Sequence, residues 1–135
     1  MTNYTRGRQT EYEVRDLFGI CGYEAIRTAG SHSPVDILSW NSLHLLFNQI
    51  KRVKVGNAFY PTPAEIKRFK DLVSPDNTSK WIITRMDGSN SKEVEWRFQC
   101  IKPETIIKDG KVYKSFHHPL IEYFKSKGIK YSIKK

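Results

Sequence analysis

An aspartate and a Gln-x-Lys triplet thirteen residues apart give this chain its clearest chemical signal. Asp36 ends the segment Ala29-Gly30-Ser31-His32-Ser33-Pro34-Val35-Asp36, and the apolar run Leu43-His44-Leu45-Leu46-Phe47 leads into Asn48-Gln49-Ile50-Lys51. Side chains alternate faces along a strand, so Gln49 and Lys51 point the same way. Two neighbouring strands can then gather Asp36, Gln49 and Lys51 into one cluster. Carboxylate and amide oxygens suit Mg²⁺, a hard cation that takes oxygen ligands. A lysine beside them can orient a water or stabilise charge building on a phosphate. These are the groups of metal-assisted phosphodiester hydrolysis. Plainer readings exist for each: Asp36 as a turn former, Lys51 as a solvated strand end, Gln49 as a polar strand residue.

The elements that must position these residues can be read from periodicity and turn residues. A helix is expected over about residues 8–20, after a short lead at 1–5. Thr10 reads as its N-cap, with Glu11 and Glu13 in a first turn where the helix dipole favours acids. Val14, Leu17 and Phe18 form the apolar stripe, and Gly19 and Gly22 close the helix. Strands follow at 23–28, 35–40 and 43–53, the N-terminal portion of the last too continuously apolar to expose one face. A loop over 54–62 leads to a helix from Pro63, a residue suited to the first turn, to about 73. Strands at 80–85 and 93–101 flank a polar turn and read as a hairpin. The order is αβββαββ. Beyond it, 105–107 and 111–113 read as a small hairpin around Asp109-Gly110, 117–124 as an amphipathic helix and 131–133 as a last strand.

Several short motifs share this order: Arg6-Gly7-Arg8, Glu11 on the first helix, Gly22-Tyr23, Arg27-Thr28-Ala29-Gly30-Ser31, Pro34-Val35-Asp36, Gln49-Ile50-Lys51 and Trp96-Arg97-Phe98. Together they resemble the PD-(D/E)xK nuclease superfamily, whose core reads acidic residue, strand turn, then acid-x-Lys. The closer resemblance is to the archaeal-type Holliday junction resolvases, also found in viruses, and it covers roughly residues 4–100. It implies a restriction-endonuclease-like α/β fold with a central mixed sheet flanked by helices. Residues 1–101 would form the nuclease core, and 102–135 a basic C-terminal extension packed on the same domain.

The resemblance also implies roles. Asp36, Gln49 and Glu11 would hold Mg²⁺, for which Mn²⁺ can substitute, and the Ile50 carbonyl would complete the shell. Lys51 would orient the nucleophilic water. One departure stands out: the family usually has Glu where this chain has Gln49, so the site has one anionic ligand fewer. Gln-x-Lys variants occur in the superfamily, and the amide oxygen still suits Mg²⁺. Ser31 matches a serine loop that touches DNA near the site; Ser33 is a weaker version of it, and His32 can meet a phosphate there. Arg6, Arg8 and Arg27 are candidate phosphate contacts, since Arg grips phosphate oxygens bidentately. Arg52 and Lys54 can follow the DNA backbone away from the cut, and Tyr60 can stack on an exposed base or simply pack. The implied activity is a Mg²⁺-dependent endonuclease that resolves four-way DNA junctions by paired symmetric nicks. Two symmetric cuts call for a two-fold homodimer. Branched DNA is the expected partner, with no membrane and no small-molecule cofactor.

Composition sets outer limits. The 135 residues suit one domain. No apolar run approaches the roughly 20 residues that span a bilayer, and Met1-Thr2-Asn3-Tyr4-Thr5-Arg6 has no apolar signal region. An intracellular, cytoplasmic protein of prokaryotic or viral origin is expected. Cys21 and Cys100 lack metal-type spacing and read as reduced thiols; neither His32 with His44 nor the adjacent His117-His118 reads as a metal pair. The net charge of +9 favours a polyanion, with +6 of it in residues 101–135 and a second basic focus at Lys51-Arg52-Val53-Lys54. Three alternatives remain open: another nuclease of the same fold, a non-catalytic DNA-binding relative suggested by the missing charge at Gln49, and a generic basic RNA-binding protein. Charge explains the last, but the ordered motifs do not.

Overall fold

Val14 and Phe18 are fully buried, and they fix how the first helix lies against the sheet. The structure is a computed structural model and describes residues 3–28, 33–54, 61–90 and 93–134. The first helix, α1 (Asn3–Ile20), starts well before the expected residue 8 and takes in residues 3–5 of the expected lead. Thr10 is therefore an interior residue, not an N-cap. Its buried hydroxyl donates to the Arg6 carbonyl one turn back at 2.9 Å, which satisfies it without ending the helix. The first turn holds no acid, so Glu11 and Glu13 sit mid-helix, where a dipole role does not apply.

The expected strands follow. Strands β1 (Glu24–Arg27), β2 (Ile37–Trp40) and β3 (Leu45–Lys54) form an antiparallel meander. Strand β3 starts later than residue 43 because the Asn41 side chain accepts from the Leu43 and His44 N–H groups at 2.9 and 2.7 Å, holding a turn there. Helix α2 (Pro63–Asp71) crosses over to β4 (Thr78–Asp87), which runs parallel to β3. Strand β5 (Val94–Lys102) returns antiparallel to β4. A separate hairpin of β6 (Glu104–Lys108) and β7 (Lys111–Ser115) turns through Asp109 and Gly110, both at positive φ (53° and 74°) as a two-residue hairpin turn requires. Helix α3 (Pro119–Lys127) leads to β8 (Tyr131–Lys134), which pairs parallel with β5. The main sheet has six strands in the order β1-β2-β3-β4-β5-β8.

The two faces of this sheet bury different cores. On one, Val14 and Phe18 of α1 and Leu120 and Phe124 of α3 pack on Leu46, Ile50, Trp81, Ile83 and Phe98. On the other, Phe69 of α2 packs on Ile82 and Val35, with Phe47 and Ile66 partly buried beside them. Residues 46, 48 and 50 of β3 thus face α1 and α3, while 47, 49 and 51 face α2, as strand alternation demands. Helix α2 is tied at both ends. Thr62 Oγ1 accepts from the Glu65 N–H at 3.1 Å. The buried Lys80 ammonium, on β4, donates to the carbonyls of Phe69, Lys70 and Leu72. Three carbonyls at the C-terminal end, of which that of Phe69 also accepts from the Leu72 N–H, thereby gain a cation.

Helix α3 starts at Pro119, later than expected, so His117 and His118 precede it. His118 is its N-cap and accepts from the Leu120 N–H at 3.1 Å. Among the described residues, no helix is long and apolar enough to cross a membrane.

Candidate functional site

The candidate site forms where β2 parts from β3. Their last registered pair is Ile37 with Asn48. One step further, the Asp36 N–H still donates to the Asn48 carbonyl at 2.9 Å. The Ile50 N–H then donates to the Asp36 side chain, at Oδ2, over 2.8 Å. The Asp36 side chain therefore closes the ladder at the point where the strands diverge. Its backbone is held from the other side, where the Thr28 N–H donates to the Asp36 carbonyl at 2.9 Å and the Thr28 hydroxyl donates to the Val35 carbonyl.

Gln49 and Lys51 emerge on the α2 face beside this junction. Gln49 is only 8% exposed, and its Oε1 has no hydrogen-bond partner among the described residues. A buried acceptor left without a donor costs roughly 1–3 kcal/mol. Lys51 Nζ lies 3.3 Å from Glu65 Oε2 on α2.

Glu11 comes from α1. It follows the buried Thr10 and precedes Val14 by three positions, so it rides at the margin of the core-facing stripe. Its Oε1 lies 3.5 Å from Arg27 Nε on β1. Burial, and then the charge of Asp36, push the Glu11 carboxyl above its ordinary pKa, with Arg27 opposing. Burial likewise raises Asp36, against the Ile50 hydrogen bond and the charges of Lys51 and Arg27. The two carboxylates thus sense each other in a partly desolvated setting, and bringing a cation between them would relieve both effects.

This donor set fits a hard divalent cation. It offers two carboxylates whose charged forms are disfavoured on balance by burial, and a buried amide oxygen with no donor among the described residues. Among the described residues, no group of three or more His, Cys, Asp or Glu side chains could hold a metal ion.

The remaining sequence candidates divide. Arg27 joins the cluster through Glu11. Arg8 is exposed on α1, close enough to Glu11 to lower its pKa. Arg6 is half-buried on the same helix, and its carbonyl receives Thr10 Oγ1 and, at 3.4 Å, Arg52 Nη1. Arg52 follows Lys51 on β3 and so points to the opposite face, where its Nε meets Asp87 Oδ2 at 2.7 Å. Lys54 is exposed at the end of β3. Ser33 is exposed, and its hydroxyl accepts from the Val35 N–H at 3.1 Å. Ile50 points its side chain into the α1/α3 core and meets the site through its backbone N–H. Ser31, His32 and Tyr60 lie outside the described residues.

Glu65 is the site residue that sequence reasoning missed. The stretch Thr62-Pro63-Ala64-Glu65 has the form of a capping box, in which the acid would turn back to its own helix start. Here the threonine caps and the glutamate turns to Lys51.

No protein-family model matches the chain, and no curated protein matches it. Among solved structures, it is similar to that of Archaeoglobus fulgidus Hjc, a Holliday junction resolvase from an archaeal hyperthermophile. The TM-score is 0.54 at 20% sequence identity, and the match covers 70% of this chain and 77% of that one. That likeness shows the fold: a restriction-endonuclease-like α/β fold with a mixed central sheet flanked by helices.

Proposed function

We propose that this chain is a metal-dependent DNA endonuclease that resolves four-way junctions by paired symmetric nicks. The observation that carries the reading is the buried Gln49 oxygen without a donor, set beside the Asp36 carboxylate and the Lys51 ammonium at the split between β2 and β3. Most buried polar groups in a fold are hydrogen-bonded, so a buried acceptor left open beside a carboxylate and an ammonium supports a ligand-binding role. The fold shared with an archaeal resolvase and the net charge of +9 support the choice of substrate.

Asp36, Gln49 and Glu11, with the Ile50 carbonyl, would hold Mg²⁺ or Mn²⁺. The ion supplies a more acidic bound water and charge stabilisation at the phosphate. Lys51 hydrogen-bonds the attacking water and faces the negative charge that builds on the phosphate oxygens. The water oxygen bonds to phosphorus in line with the departing 3′ oxygen, which takes up a proton. The products carry a 5′-phosphate and a 3′-hydroxyl. Arg8, Lys54 and the lysines of residues 102–135 would hold the backbone through phosphate charge, so binding weakens steeply with salt. A two-fold homodimer would place two such sites on one junction.

The test uses a labelled immobile four-way junction and a matched linear duplex in Mg²⁺, with wild type and Asp36→Asn in parallel. Paired nicks on the junction alone, lost in the variant, are the expected outcome. Equal cutting of the duplex would make this a general nuclease of the same fold. Tight junction binding with no cut in Mg²⁺ or Mn²⁺ would make it a non-catalytic relative, a reading that the neutral Gln49 favours.

A further inference from the structure

We propose that Glu65, from α2, supplies the negative charge that Gln49 does not, balancing Lys51 so that the site can bind a divalent cation. This rests on the metal-dependent reading above and adds a residue to it. Without Glu65, the groups gathered at the split come out neutral at best. Asp36 and Glu11 are two carboxylates. Lys51 and Arg27 are two cations, both close enough to Asp36 to lower its pKa. Arg8 adds further positive charge within reach of Glu11. A divalent ion entering such a set meets no net attraction. An acid at position 49 would have tipped the balance, but Gln49 brings an oxygen without a charge.

Glu65 adds a third carboxylate from α2, against the two cations Lys51 and Arg27 that reach Asp36. Its Oε2 lies 3.3 Å from Lys51 Nζ, and the charge of the same lysine reaches Asp36. Gln49 faces the same helix, with its Oε1 buried and lacking a partner among the described residues. Glu65 had an ordinary alternative. It stands three residues after the capping threonine, where an acid commonly folds back onto the N-cap N–H. The Thr62 hydroxyl takes the Glu65 N–H, yet the Glu65 carboxylate contacts Lys51. Its helix is pinned by Thr62 at one end and Lys80 at the other, so the carboxylate is presented from a fixed support. Glu65 is thus a positioning residue: it acts on the metal site through Lys51 and through its charge.

The test separates charge from shape. Mn²⁺ binding is measured by calorimetry on wild type, Glu65→Gln, Gln49→Glu, the double variant Gln49→Glu/Glu65→Gln and Asp36→Asn, with a thermal melt of each. Gln at position 65 can still accept from Lys51, so the geometry is kept while the charge goes. Glu65→Gln is expected to lower Mn²⁺ affinity about tenfold or more, as loss of groups supporting a metal site does. The double variant is expected to regain most of that loss, because the charge returns at position 49. An affinity for Glu65→Gln within about twofold of wild type would overturn the proposal while leaving the nuclease reading intact. So would a double variant that melts normally yet stays as weak as Glu65→Gln. Wild type and Asp36→Asn that both fail to bind Mn²⁺ would remove the metal-dependent reading itself, and Glu65's role with it.

Discussion

Asn48 and Gln49 are neighbours on β3 and carry the same amide group, yet the two faces of the strand treat them oppositely. On the α1/α3 face, Asn48 Nδ2 donates to Ser39 Oγ at 3.0 Å and to the Ile37 carbonyl at 3.2 Å. Its Oδ1 lies 3.1 Å from His118 Nε2. His118 Nδ1 accepts from the Leu120 N–H, so the neutral ring carries its proton on Nε2 and donates it to Asn48. Every polar group of that chain has a partner, and it ties α3 to the two strands that the site divides. On the α2 face, Gln49 Oε1 has no such partner among the described residues. A closed network holds a structure together; an open one has capacity left for something that arrives from outside. Strand alternation lets one short segment do both.

The contrast can be broken most sharply at Lys51. Lys51→Ala is expected to lower junction cleavage by about a hundred- to a thousand-fold, as loss of a group facing transition-state charge does. Its melting temperature should barely move. Single-turnover rates and a melt check this. Next comes the closed side. Asn48→Ala strands the His118 N–H in the core and should cost about 2–4 kcal/mol in urea unfolding. Gln49→Met, of similar volume, should cost less than about 1 kcal/mol, since it removes an acceptor that was already without a donor. Equal costs at the two positions would erase the distinction between the faces.

A pH series sharpens the comparison further. Burial pushes the His118 pKa down to about 3 from an ordinary 6.5. Its neutral form therefore belongs to the fold, and the unfolded chain binds the extra proton. The stability it contributes is full above pH 6.5 and is lost as pH falls toward 3. Between pH 6.5 and 5, the wild type should lose about 2 kcal/mol that His118→Asn does not, at roughly 1.4 kcal/mol per unit. Asp36 runs the other way. Its raised pKa means that its charged form penalises the fold at neutral pH, and the penalty vanishes on acidification. Asp36→Asn, measured without added metal, is expected to raise the melting temperature at pH 7 by a few degrees at most and to converge with wild type in acid. A drop at pH 7 would mean that the carboxylate serves the fold and not a ligand.

The sequence carried the αβββαββ order because apolar runs, Pro63 and the turn residues punctuate it clearly. It carried the shared face of Gln49 and Lys51 because period-two alternation is rigid. The start of α1 was hidden: Thr10 has the chemistry of a cap, and only tertiary burial makes it an interior residue satisfied by Arg6. The separation of Arg52 from Lys51 follows from the same alternation, but its Asp87 partner comes from a strand 35 residues on. Glu65 was hidden for a different reason. Its local context is fully explained by helix capping, and nothing local reveals that its carboxylate crosses to β3. His118 was hidden likewise, because histidine is not among the favoured capping residues.

Lys80 turns the support beneath Glu65 into something that can be clocked. A buried amine depressed by burial would be a good nucleophile if it were free, but its hydrogens are committed to three carbonyls at the end of α2. An acylating reagent can reach it only when that helix end lifts from the sheet. In a lysine-labelling time course read by mass spectrometry, the exposed lysines react at once, and Lys80 reacts at the opening rate of α2. A ligand that ties α2 to the sheet should slow Lys80 as well as the Lys51 it covers, so that Lys80 reports occupancy from beneath the helix.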